Sequence, residues 1–209
     1  MGDRPIIFSA PMIRALVEGR KTQTRRIYKV PAGSYVEQGR VWAMTDGCKH
    51  GDAALPCAPG DRLWVREGWK PIPASRPGGY FVPGSPFYGC DTFYRADSSC
   101  PLWADGPWKS PIHMSRRASR LTLLVTEVRV QRLQDISEAD AQAEGLVEAY
   151  EGWATDRDGR HWGPDARASY RVLWNDLHGE DAWDRNPWVA ALTFTVHRCN
   201  IDQMGGNHE

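Results

Sequence analysis

Hydrophobic positions along this chain fall into short, separated groups. Ile6, Ile7 and Phe8 make an apolar stretch that suits a buried strand. Ser9 then stands at an N-cap position and Pro11 is tolerated in a first helical turn, while Met12, Ile13, Leu16 and Val17 recur at helical spacing. Gly19 follows as a left-handed terminator, so a short amphipathic helix is expected there. Gly60-Asp61 is a turn dipeptide, after which Leu63 and Val65 alternate with Arg62, Trp64 and Arg66 as in a strand. Phe93-Tyr94-Arg95 predicts a short strand and Arg120 to Gln131, rich in β-branched residues, a long one. Ser137, with Glu138 and Asp140, opens a short helix that Ala141 and Glu144 continue and Gly145 ends. Ala166, Tyr170, Leu173, Trp174 and Leu177 form a second helical stripe closed by Gly179, and a last strand runs from Trp188 to Val196.

The stretches between these groups lack periodicity. Residues from about 30–59 and 70–110 are rich in Gly and Pro and read as long loop insertions, and 148–164 reads as a loop. Asn200 to Glu209 reads as a polar tail without structure. The order of elements lacks the strand and long-helix alternation of a doubly wound sheet. The expectation is therefore an α+β domain over residues 1–199, a small, partly closed mixed β-barrel flanked by short helices.

Composition narrows the picture. Net charge is zero over 209 residues, which argues against a general DNA-coating protein. The charge is unevenly spread, with a balance of +5 over residues 1–30, +5 over 109–132 and −8 over 134–186. Two basic segments can merge into one face suited to a polyanion, or can be ordinary solvated charge. Met1 to Pro11 lacks a basic flank followed by a long apolar run, and no stretch is long enough to span a bilayer. A cytoplasmic protein without membrane contact is expected. The cysteines number 5, which disfavours a disulfide framework. Cys48, His50 and Cys57, with Cys90 or Cys100, come near a zinc set, but paired C-x-x-C spacing is missing, so idle thiols and no metal are expected. No cofactor is expected either. His113 and His161 have no sequence partner that makes them ligands and read as incidental.

The run Gly19-Arg20-Lys21-Thr22-Gln23-Thr24-Arg25-Arg26, directly after the first helix, resembles the signature of the ASCH superfamily. That signature has the form Gly-x-Lys-x-x-(Glu or Thr)-x-Arg, filled here by Gly19, Lys21, Thr24 and Arg26. The later order is similar too: a Gly-Asp turn with a strand, a long strand carrying Val125-Thr126, an acid-capped helix and a closing strand. The two insertions correspond to those of longer, phage- or prophage-associated members. The resemblance implies a PUA-like barrel with a cleft beside the signature loop, binding RNA or a modified nucleobase or nucleoside. One bacterial branch is an N4-acetylcytidine amidohydrolase in which a Lys, a Thr and a Glu are assigned to catalysis.

Lys21 and Thr24 match the first two of these, and a desolvated lysine beside other cations can serve as the base that a hydroxyl nucleophile needs. Aligning Val125-Thr126 puts the expected Glu at Leu124, which cannot exchange a proton. Glu67, closing the strand after the Gly-Asp turn, is the candidate replacement, with Glu127 weaker. Arg20, Arg25 and Arg26 would supply the cationic neighbourhood, Arg116, Arg117 and Arg120 would contact backbone phosphates, and Trp64, Trp69 or Trp108 would stack on a base. The plainer reading makes Thr24 a turn cap, Glu67 half of a structural ion pair, and the tryptophans packing residues. The expected function is binding of RNA or a modified nucleobase. The alternatives are hydrolysis of an N4-acylated cytidine-type nucleoside and a phage accessory role in which the basic face binds a host protein.

Overall fold

The computed structural model describes residues 2–45, 48–52, 55–71, 92–97 and 107–204. Its elements begin with β1 (Asp3–Ile7), α1 (Ala10–Val17) and β2 (Gln23–Ile27), followed by β3 (Ser34–Glu37), β4 (Arg40–Thr45) and β5 (Cys48–Asp52). Next come β6 (Arg62–Arg66), β7 (Trp69–Pro71), β8 (Thr92–Tyr94) and β9 (Thr122–Arg132). The chain continues through α2 (Glu138–Ala143), β10 (Val147–Ala149), β11 (Gly152–Ala154), α3 (Ala166–His178) and β12 (Trp188–His197). This is a mixed α+β architecture, and no described helix is long and apolar enough to cross a membrane.

The two longest strands, β9 and β12, are the most β-branched stretches and form the middle of a five-stranded sheet ordered β1-β6-β9-β12-β2. β1 runs parallel to β6 and the other pairings are antiparallel. β6 takes only Thr122 to Leu124 of β9, whereas β2 is carried on the Val189–Thr193 half of β12, so the two edges are offset along the sheet. The register slips between Thr193 and Phe194, which face Glu127 and Val125, leaving Thr126 as the bulged residue that bends the pair.

Two apolar clusters use the sheet. Ile13 and Leu16 of α1, one helical turn apart, pack with Phe8, Leu63, Leu123, Val125 and Phe194. Tyr170, Leu173 and Trp174 of α3 pack with Leu133, Leu146 and Val189. Met12 touches both clusters, which places α1 between them. Removing a fully buried side chain such as Leu16 costs about 2–5 kcal/mol in sites of this kind.

Three expectations are corrected. Residues 30–59 contain the antiparallel meander β3-β4-β5, and residues 148–164 contain the β10-β11 hairpin. The polar tail is structured through Met204: Ile201 is fully buried, and the Asn200 amide donates to the carbonyls of Arg116 and Ser119 at 2.8 and 2.7 Å. Within 70–110, β7 pairs with β8, while 72–91 and 98–106 lie outside the described residues.

Candidate functional site

The signature run lies where α1 turns back toward α2. Gly19 adopts φ +77°, and the Arg20 and Lys21 amides both donate to the Ala15 carbonyl, closing the helix and reversing the chain. The Thr22 amide donates to Ala143 O, and Lys21 bridges Glu144 through the backbone. The end of α2 is thereby held against the signature.

Lys21 is wholly buried, and its ammonium donates to Glu144 Oε2 at 2.7 Å and to Glu144 O at 2.9 Å. Burial pulls the lysine below its ordinary range, against the opposing attraction of Glu144. Glu144 Oε1 accepts from Arg25 Nη1 at 3.0 Å and from the Tyr170 hydroxyl at 3.4 Å. Arg25 also pairs with Asp140 at 3.1 Å, and Gln23 Nε2 donates to Asp140 Oδ1 at 2.9 Å. Burial alone would raise Asp140, but the Gln23 bond and the charges of Arg25 and Arg129 hold it below the usual carboxylate range. Tyr170 is pushed well above its ordinary range, by burial first and by Glu144 second. One buried carboxylate thus serves two buried cations and a phenol.

Alternation on β2 separates its side chains. Gln23 and Arg25 turn to the acids of α2, while Thr24 and Arg26 take the other face. Thr24 is buried opposite Leu192 and enters none of these ion pairs. Arg26 donates to Ile7 O at 2.8 Å, and its guanidinium lies 5.2 Å from the Phe8 ring, with the Lys21 ammonium 5.6 Å from the same ring. Lys21 and Arg25 therefore meet at Glu144 and Lys21 and Arg26 at the Phe8 ring, while Thr24 joins neither contact. Arg20 is turned outward to Glu18 and to the Gly145 carbonyl.

The remaining candidates sit elsewhere. Glu67 is buried and held by Arg120 in a two-point contact at 2.9 and 3.0 Å, and Arg120 also pairs with Asp97. Burial pushes the Glu67 carboxyl upward against the pull of Arg120. Leu124, the aligned position, pairs with Arg62 inside the sheet. The carboxylate beside Lys21 is instead Glu144, which sequence reasoning passed over. Its one visible signal is an acid at the C-terminal end of a helix, where the macrodipole is unfavourable unless cations compensate.

Arg116 is engaged by Asp3 and Asp202, and Arg117 is exposed. Of the basic residues in the two segments, Arg20, Lys21, Arg25, Arg116, Arg120 and Arg129 pair with acids within the fold, while Arg4, Arg14, Arg26 and Arg132 donate to backbone carbonyls. Trp64 is buried with Arg66 over its ring at 4.4 Å, so it packs and offers no stacking face. Trp69 is half-buried with Lys109 above it at 5.1 Å. Cys57 is buried, and burial pushes its thiol up. The side chains of Cys48 and His50, with Cys90 and Cys100, lie outside the described residues, and no cluster of metal-ligating groups occurs among the described ones.

Two cavities flank the Ser9–Pro11 entry to α1. The smaller, of ≈ 120 Å³, includes Glu144, Met12, Leu146 and Leu173 in its walls. The larger, of ≈ 520 Å³, is lined by Phe8, Ser9, Ala10, Pro11, Gly68, Arg95 and the segment from Trp108 to Pro111. The two charged residues in its described lining, Arg95 and Lys109, are both cationic and exposed. Ser9 makes no side-chain cap, which leaves the positive end of α1 uncompensated between the two cavities. No family model, curated protein or solved structure matches the chain.

Proposed function

We propose that this chain is a PUA-like, ASCH-type domain that binds a nucleotide unit of RNA or a modified nucleoside in the larger cavity. The observation that carries the reading is a cleft of ≈ 520 Å³ in which, among the described residues, the half-buried Trp108 stands with two exposed cations and no acid. Its size falls within the range of small-ligand pockets. Aromatic faces take bases irrespective of sequence, and cations with a helix N-terminus take phosphate. Phe8 joins this cleft to the signature, since it is the ring beneath Lys21 and Arg26. A barrel-like closure is supported by Arg26, which links the opposite edge strands β2 and β1 through Ile7 O. The test is titration of single-stranded RNA at several salt concentrations. Affinity falling steeply with salt is expected, and a flat response removes the reading.

A second reading is hydrolysis of an N4-acylated cytidine-type nucleoside. It is favoured by the buried Lys21–Glu144 contact of 2.7 Å, which supplies a carboxylate next to the lysine of the signature. Incubation with N4-acetylcytidine and product analysis tests it. Turnover should vanish in Lys21→Ala, Thr24→Ala and Glu144→Gln, and activity surviving all three would exclude this site.

A further inference from the structure

Thr155, His161 and Asp176 are hydrogen-bonded in series on the wall of the smaller cavity, away from the Phe8–Trp108 cleft. We propose that these three residues form a second reactive centre, a hydroxyl nucleophile with its base and orienting carboxylate, that cleaves short-chain acyl esters.

The three side chains come from separate elements. Thr155 follows β11, His161 ends the turn after it, and Asp176 lies on α3. Thr155 Oγ1 is 2.9 Å from His161 Nδ1, and His161 Nε2 is 3.1 Å from Asp176 Oδ2. Thr155 Oγ1 also donates to the Arg160 carbonyl at 3.0 Å, an oxygen whose other lone pair accepts the Thr155 amide at 2.9 Å. For the reaction the hydroxyl turns its proton from that carbonyl to His161 Nδ1. In the arrangement the reaction uses, Thr155 donates to Nδ1 and the Nε2 proton is donated to Asp176. In that tautomer Nδ1 is the acceptor that a general base requires.

The scaffold fixes the base. His161 holds a left-handed backbone with φ 54°, uncommon for a residue other than glycine, and its carbonyl accepts from Ser169 Oγ at 2.8 Å. Its ring is 11% exposed, enough to meet a bound group from the cavity side. Pro11, Met12, Leu146, Leu173 and Leu177 give the ≈ 120 Å³ cavity an apolar side suited to a short aliphatic acyl chain, with Ser9 and Glu144 also in its walls. Arg160 lines the same cavity, its guanidinium 3.7 Å from Asp176 Oδ2, the oxygen that faces His161 Nε2.

In the reaction Thr155 Oγ1 bonds to the ester carbonyl carbon while its proton passes to His161 Nδ1. Collapse breaks the ester C–O bond, and the departing oxygen takes that proton. Water then adds to the acyl-threonine, giving the carboxylic acid and restoring the hydroxyl. No further reactant is needed.

The test uses the full chain with 4-nitrophenyl acetate and butyrate. Saturable nitrophenolate release is expected, with an acetyl group found by mass spectrometry on the peptide containing Thr155. Thr155→Val and His161→Gln should each lower turnover by about 100-fold or more, and Asp176→Asn by less. RNA binding should persist in all three, which separates failure here from failure of the nucleotide reading and shows that the variants are folded. Turnover at the parental rate in Thr155→Val, or an acetyl group carried only on lysines, overturns the proposal. If a variant fails to fold, the position of the acetyl group in the parental chain decides alone.

Discussion

The Lys21 ammonium and the Glu144 carboxylate meet at 2.7 Å with side chains 0% and 4% exposed, across 123 residues of sequence. Taking both charges out of water is costly, and the contact recovers that cost only while both partners are present. Arg25 shares the same carboxylate, so Glu144 compensates two cations at once.

The expected consequence is an asymmetric pair of variants. Glu144→Gln leaves Lys21 and Arg25 buried without their shared counter-charge and should cost about 3–5 kcal/mol. Lys21→Met leaves Glu144 paired with Arg25 and should cost less. The double variant should be more stable than the sum of the two single losses predicts. Urea unfolding of the four proteins measures the coupling, and simple additivity would show that the pair is not an energetic unit.

Gly145 carries a second prediction. Its φ is +102°, and a Cβ placed there would lie 2.9 Å from Ala15 Cβ and 3.0 Å from Lys21 Cβ. Gly145→Ala must therefore strain the backbone and push apart the two segments that bury Lys21. A loss of more than about 1 kcal/mol is expected, together with reduced RNA affinity, because the Lys21 ammonium lies 5.6 Å from the ring of Phe8, which lines the larger cavity. A melting temperature unchanged from the parent would refute the close-packing account.

The proposed nucleotide cleft separates into two kinds of contact. Arg95→Ala should lower the salt slope of RNA binding by about one and weaken all sequences alike. Trp108→Ala should leave the slope unchanged and cost about 1–3 kcal/mol of affinity. Fluorescence titrations at several salt concentrations distinguish the two patterns.

Local periodicity made much of the frame legible. Met12, Ile13, Leu16 and Val17 announced α1, and the β-branched runs announced β9 and β12. The meander β3-β4-β5 was harder to see because its first turn is Gln38-Gly39, both at positive φ, in place of the familiar Asn-Gly pair. The buried end of the chain escaped because a single apolar residue, Ile201, and one capping residue, Asn200, anchor it. In the site, the basic run was visible and its carboxylate was not. Glu144 acquires its meaning only when a reversal after Gly19 lays Lys21 against α2. His161 looked isolated for the same reason, since Asp176 reaches it from a helix fifteen residues on.

Asp61 supplies a pH prediction. Its two carboxylate oxygens accept from the amides of Gly2 at 2.7 Å and Ala58 at 3.1 Å, tying the start of β1 to the turn that opens β6. These amides hold its carboxyl below the usual range, Gly2 more than Ala58. An unfolded aspartate protonates near pH ~3.9. Between that pH and the lower folded value the unfolded chain binds more protons, so stability falls as pH falls. Asp61 therefore contributes its full share above about pH 4 and loses it as pH drops through the folded value. Asp61→Asn keeps the shape but sets an amide nitrogen against one of the two donors, and should cost about 2 kcal/mol at neutral pH. The stability gap between parent and variant should stay constant from pH 7 to about 5 and close below about 4. Asp3 is lowered in the same sense by Arg116 and Arg62, so the difference between the two proteins, and not the parental curve alone, isolates Asp61. A gap that stays open into acid would mean that Asp61 acts through packing and not through its charge.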